Sequence, residues 1–240
     1  MFAIAAVAFL YSSVGHGGAS GYLAVLSLLA LPPALMSSTA LMLNILVAGT
    51  GVAMFARERL VPVRFTLLFL IGSIPASFIG GLLTIPQRGY FLLLGAALIA
   101  ASLRLLFLPT LLAPKEGEDH PPALAAVAIG GAIGLLSGML GIGGGIFLSP
   151  IILFFRWNDA RHTAAASALF IVVNSIAGLA GRAASGSLET AMMLPLLAAA
   201  WIGGMGGSYF GSKRFSNLML QKILGGVLLL AALKLIIQHF

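Results

Sequence analysis

A chain of 240 residues that is 60% hydrophobic and only 8% charged is far from a soluble domain, where about a quarter of residues carry charge. It reads as a polytopic membrane protein with no hidden soluble domain, because the one clearly polar stretch is Pro114-Lys115-Glu116-Gly117-Glu118-Asp119-His120-Pro121-Pro122. The net charge of +7 rests on 13 basic residues scattered over the ends of apolar segments, a pattern that sets topology and does not bind nucleic acid; the absence of cysteine excludes disulfides, thiolate metal sites and a thiol nucleophile.

Met1 to Val14 is apolar without a basic leading region, and the first charged residue is Arg57, so the expectation is a mature membrane segment and not a cleaved signal peptide. The first apolar stretch, Phe2 to Leu31, is broken at Gly15-His16-Gly17-Gly18-Ala19; Pro33 to Ala56, Pro62 to Leu83 and Gly89 to Leu108 follow. The pattern then recurs. Ala123 to Phe155 is broken at Gly141-Ile142-Gly143-Gly144-Gly145, and Ala160 to Gly181, Leu188 to Gly211 and Leu218 to Ile237 complete the second set. An offset of 126 lays Gly15 on Gly141, and later matches, with small gaps, include Thr39-Ala40 with Ser167-Ala168, Gly72 with Gly203 and Leu94-Gly95 with Leu224-Gly225. The chain is an internal duplication.

Each glycine costs a helix about 1 kcal/mol relative to alanine, so both clusters break their helices. Broken backbone at membrane depth is tolerated only where protein buries it or where it lines a wet cavity. A broken stretch either crosses once as two half-helices or enters and returns. Crossing once divides the basic residues almost evenly between the two sides. Returning places Arg57, Arg59, Arg64, Arg104, Lys115, Arg156, Arg161, Lys213, Arg214 and Lys222 on one side against Arg88, Arg182 and Lys234 on the other, the asymmetry that marks a cytoplasmic face. A hairpin plus three crossings inserts the second half upside down. The expected fold is an all-α polytopic membrane protein of two homologous halves as inverted repeats, each a Gly-tipped broken helix or hairpin plus three transmembrane helices. The first repeat spans residues 1–113, a cytoplasmic linker 114–122 and the second repeat 123–240, with both termini outside. Hairpin arms of this length pass the midplane without clearing the bilayer, so the two tips meet near the middle, where secondary transporters place their sites.

A new half-helix is expected to start after each tip, near Ser20 and near Ile146. Its free N–H groups and positive dipole end make an anion site without a charged side chain. All six acidic residues (Glu58, Glu116, Glu118, Asp119, Asp159 and Glu189) fall at segment ends or in loops, so nothing in the interior repels an anion. The candidate binding residues are Gly15, His16, Gly17, Gly18 and Ser20 at the first tip and Gly141, Gly143, Gly144 and Gly145 at the second, with Thr39, Asn44, Ser167 and Asn174 in the crossing segments that follow. The alternative for the glycines is close helix packing. His16 is the one ionisable group near the midplane, either an anion donor or proton carrier or a neutral imidazole bonded to a carbonyl. For Thr39, Asn44, Ser167 and Asn174 interhelical hydrogen bonding is the commoner role. Arg182, like Arg57 and Arg104, is expected to snorkel to the interface, with an anion lure as the lesser reading.

Two homologous halves, each opening on a Gly-x-Gly-Gly-Gly-like break (Gly141 to Gly145; Gly15 to Ala19) and each followed by a Thr/Ser-Ala helix and a Gly-x-x-Pro/Gly-x-Ser-x-x-Gly helix, resemble the TauE/SafE sulfite exporter family (TSUP). The likeness covers essentially the whole chain and departs from the family pattern at His16, where an apolar residue is usual, and at Ala19, where glycine is usual. The resemblance implies export of sulfite or a short organosulfonate such as sulfoacetate across a bacterial plasma membrane. An anion channel with the same site is a second reading. A third is an intramembrane serine protease, because Gly18-Ala19-Ser20-Gly21 resembles the rhomboid nucleophile motif, but no histidine stands in the matching setting. No enzyme activity, cofactor or metal is expected. The partners are a small anionic substrate and the lipid bilayer, with no nucleic acid; a homodimer is compatible with a sequence that does not fix the oligomeric state.

Overall fold

A computed structural model describes residues 1–13, 17–29, 31–107, 121–189 and 193–214 and, in the last segment, 222, 225–226, 228–230, 232–233 and 235–237. Its elements are α1 (Phe2–Ser13), α2 (Ala19–Leu28), α3 (Pro33–Arg57), α4 (Val63–Leu82), α5 (Gln87–Phe107), α6 (Ala123–Leu140), α7 (Gly145–Phe154), α8 (Ala160–Ala184) and α9 (Met193–Arg214). Every regular element among the described residues is a helix. Four of them, α3, α4, α6 and α8, are long and apolar enough to cross a membrane, which fits a multi-pass membrane protein.

The starts follow local chemistry. Proline opens α3, its fixed φ and missing N–H costing nothing in a first turn. Asp159 caps α8, its carboxylate accepting from the backbone N–H groups of Arg161 and His162 at 2.8 and 2.9 Å and meeting His162 Nδ1 at 2.6 Å. Partial burial pushes the Asp159 carboxyl up, yet these bonds and the nearby imidazole leave it below the ordinary carboxylate value.

Glycine sets the packing. A Cβ added at Gly130, Gly134 or Gly138 of α6 would strike the carbonyls of Phe69, Ser73 and Ser77 in α4, and one at Gly203 or Gly207 of α9 would strike those of Ala5 and Phe9 in α1. Backbones in contact at this range are how small residues join helices in a bilayer. Each helix that leads into a tip thus packs on the second long helix after the other tip, α6 on α4 and α1 on α9.

The residue pairs also fix directions. The rising pairs above run α6 with α4 and α1 with α9. Along α8, Ser77 Oγ donates to the Asn174 carbonyl at 2.8 Å and Gly81 sits on Gly178, so α4 runs with α8 as well. Against α8, α7 runs oppositely, with Gly145 at Ile171 and Ser149 bonded to Ser167 at 2.7 Å. The chain therefore reverses between α6 and α7. Tyr11 with Ser20 and Val7 with Gly21 give the same reversal between α1 and α2. At the centre α3 opposes α8, pairing Leu41 with Gly178, Asn44 with Ser175 and Gly51 with Ala168; beyond α3, Glu58 meets Arg161 at 2.8 Å.

Candidate functional site at the two glycine tips

Both tips open their half-helix on a left-handed glycine. α6 ends on Gly141 at φ 83, Gly143 stands at φ 77, and Gly144 at φ 82 is the N-cap of α7. Gly18, the N-cap of α2, has φ 90. These are left-handed conformations that side chains disfavour. Neither N-cap is closed by a side-chain hydrogen bond, so the first N–H groups of α2 and α7 keep their donor capacity. The two half-helices begin at Ala19 and Gly145, one residue before the expected Ser20 and Ile146.

The tips converge on the α3–α8 crossing. A Cβ on Gly17 would lie 3.2 Å from Ala48 and from Ile171, and one on Gly143 would lie 2.6 Å from Asn44 Nδ2 and 3.3 Å from Ser175 Oγ. Between them is a small cavity of about 10 Å³, lined by Tyr11, Gly17, Gly18, Ala19 and Ser20 on the first-tip side and by Ile142, Ile146 and Ile171 on the other. That is room for about one water. Its hydroxyls are those of Tyr11 and Ser20, 2.7 Å apart, while the second tip and α8 offer isoleucine side chains.

Among the anticipated residues, Gly17, Gly18 and Ser20 line this cavity; Gly15 and His16 lie outside the described residues. The second-tip glycines pack instead: Gly141 against Ser37, Gly143 against Asn44, Gly144 against Ile133 and Phe170, and Gly145 against Ile171. Asn44 holds that tip, its Nδ2 donating to Ile142 O and to Ser175 Oγ, both at 3.4 Å. Ser167 is bonded to Ser149 and Asn174 to the Phe170 carbonyl of its own helix at 2.9 Å. Thr39 is buried in α3 away from the cavity lining. Tyr11, Ile142, Ile146 and Ile171 were not singled out from the sequence. The signal for Tyr11 is its symmetric placement, since a chain that reverses at the first tip brings residues 11 and 20 level.

Arg182 does not snorkel. It is 5% exposed, and its Nη2 donates to the Gly138 and Met139 carbonyls at 3.0 and 2.8 Å, because α8 ends beside the last turn of α6, where unpaired carbonyls concentrate negative charge. Tyr90 of α5 donates to the next carbonyl, Leu140, at 3.0 Å.

The family model for the sulfite exporter TauE/SafE matches residues 1–235. The chain belongs to the TauE/SafE family. It is 36% identical over 236 residues to the probable membrane transporter protein y4hK of Sinorhizobium fredii, covering 96% of this chain and 94% of that one. It is also similar to two Bacillus subtilis proteins named as probable membrane transporters: YunE, 26% identical over 224 residues with 86% and 82% covered, and YdhB, 28% identical over 229 residues with 90% and 89% covered. No solved structure matches the chain. This TauE/SafE protein is a membrane transporter and not an enzyme, which sets aside the protease reading of Gly18-Ala19-Ser20-Gly21.

Proposed function

We propose that the protein exports a small sulfur-containing oxyanion, sulfite or a short organosulfonate, across the bacterial plasma membrane by alternating access around the two glycine tips. The observation that carries this reading is the cavity shared by both tips, at the uncapped starts of two half-helices. Two N-terminal dipole ends and the Tyr11 and Ser20 hydroxyls suit a singly or doubly charged oxyanion, and the carboxylates among the described residues stand in loops, away from it.

Inverted repeats give the motion. The opposed α3 and α8, the reversal at each tip and the exchange of opening helices between halves all support a second half inserted upside down, with α6–α7 entering from one face and α1–α2 from the other. The ten-to-three division of basic residues assigns the face holding Arg57, Arg156 and Arg161 to the cytoplasm and both termini to the outside. A cavity of about 10 Å³ holds no sulfite until Ile142, Ile146 or Ile171 moves aside, as rocking of one tip against the other would allow. An inside-negative potential favours anion exit by about 2.3 kcal/mol per charge per 100 mV, so export needs no coupling ion.

The test is thermal stabilisation of the purified chain by sulfite, sulfate, thiosulfate, sulfoacetate and chloride, with Ser20→Ala as comparison. The expected result is a saturating rise in Tm for one sulfur oxyanion, with affinity falling about tenfold in Ser20→Ala, the effect of one hydrogen bond to an anion. No rise for any of the five anions would overturn the reading.

A further inference from the structure

Arg182 carries more than a helix end requires. Its guanidinium stays protonated and is almost fully enclosed. Among the described residues no carboxylate pairs with it: Glu58 pairs with Arg161 and Asp159 with His162. The α6 C-terminus it caps offers roughly half an elementary charge, so about half of its positive charge is uncompensated. Its buried Nε also has no hydrogen-bond partner among the described residues. A neutral donor can cap a carbonyl here, as Tyr90 does for the adjoining Leu140. Nor has α3 a cation at the matching place: counted from the helix starts at Pro33 and Ala160 it is Phe55, and counted from the Thr39–Ser167 match it is Met54.

We propose that Arg182 is a second anion subsite, outside the tip cavity, on the face where α8 ends, and that its free Nε meets the oxyanion as it passes between the cavity and that face. A guanidinium presents Nε–H and Nη–H side by side, the geometry that takes two oxygens of one sulfonate or sulfite. While no anion is there, the Gly138 and Met139 carbonyls hold the side chain in place. This rests on the transport of an oxyanion proposed above.

The experiment uses the full-length protein in nanodiscs with sulfite as the probe. In arginine labelled with nitrogen-15 the Nε–H resonance of Arg182, assigned by its loss in Arg182→Lys, is expected to move and saturate with sulfite. In Arg182→Gln the affinity for sulfite is expected to fall at least tenfold, while Tyr90→Phe, which removes only a cap, lowers Tm with affinity kept within threefold. Wild-type protein that binds sulfite with an unmoved Nε–H resonance, or Arg182→Gln that binds as wild type, overturns the subsite and leaves the tip site standing. If Arg182→Gln does not accumulate, the resonance in wild-type protein decides alone. Wild-type protein that binds neither sulfite nor any other anion tested removes the transported oxyanion, and the subsite with it.

Discussion

The two tips share a left-handed glycine cap and differ in what surrounds it. Each ends in a left-handed glycine, Gly18 at φ 90 and Gly144 at φ 82, followed by a ten-residue helix. Around the second tip, Asn44, Arg182 and Tyr90 grip carbonyls from Gly138 to Ile142. Around the first, Tyr11 and Ser20 bond to each other and line the cavity. The flanking side chains fasten one tip and give hydroxyls to the other. In the proposed cycle the first tip is the side that gives hydroxyls to the anion in the cavity.

The sharpest way to break that contrast is at the cap of the second tip. Gly144→Leu puts a side chain on a left-handed residue, with its Cβ 2.7 Å from Ile133 and 2.8 Å from Phe170. Left-handed strain of roughly 1–2 kcal/mol and overpacking of roughly 1–3 kcal/mol add, so the variant should show a large fall in Tm or fail to accumulate. A Gly144→Leu variant as stable as wild type would remove the close-packed second tip. Next, Tyr11→Phe should reduce sulfite affinity about tenfold at a stability cost of about 1 kcal/mol, whereas Asn44→Ala should cost a similar amount of stability with affinity nearly unchanged. Titration calorimetry and thermal melts on the same samples separate the two, and equal effects on affinity would mean that the tips do not divide the work.

A smaller effect concerns the start of α8. The Asp159 carboxyl sits below its ordinary value in the folded protein, so its contribution is complete above about pH 3.9, the unfolded carboxylate value, and is lost as pH falls through the lowered folded value. Asp159→Ala should lower Tm at neutral pH, by a cap's worth of about 1 kcal/mol, and lose part of the acid dependence of melting. The smallest effect uses the ends of α3 and α8, which close alike: Leu60 N bonds to Phe55 O as Ser187 N bonds to Arg182 O, with Arg59 at φ 57 and Gly186 at φ 69 in the matching left-handed positions. Copying one onto the other, Arg59→Gly should raise Tm slightly, by up to about 1 kcal/mol of relieved strain.

The architecture was open to sequence reasoning where backbone chemistry is written in residue type. Glycine clusters located the starts of α2 and α7 to within one residue, and the prolines and apolar runs located α3 and α8 to within three residues. The side chains that face the cavity were another matter. Ile142, Ile146 and Ile171 are three apolar residues in a chain rich in them, and which face each presents depends on the register between reversed arms. Arg182 looked like a residue at a membrane edge because sequence places it at a segment end; only the lie of α8 beside the last turn of α6 turns that end inward. Thr39, Ser167 and Asn174 stood out as polar groups in apolar helices; Ser167 bonds across to Ser149 of α7, whereas Asn174 bonds to a carbonyl of its own helix.

The exchange of opening helices has a consequence for how the protein is made. The glycine-lined bed for α1 is α9, which leaves the ribosome some two hundred residues later, and the bed for α6 is α4, already in place when α6 emerges. Synthesis is therefore lopsided: the second broken segment meets its partner at once, whereas the first must wait in the membrane, its short helices unmatched, until almost the whole chain is present. A chain ending after α5 would lack the bed for α1, and a chain cut between α5 and α6 should assemble only when both pieces are produced together.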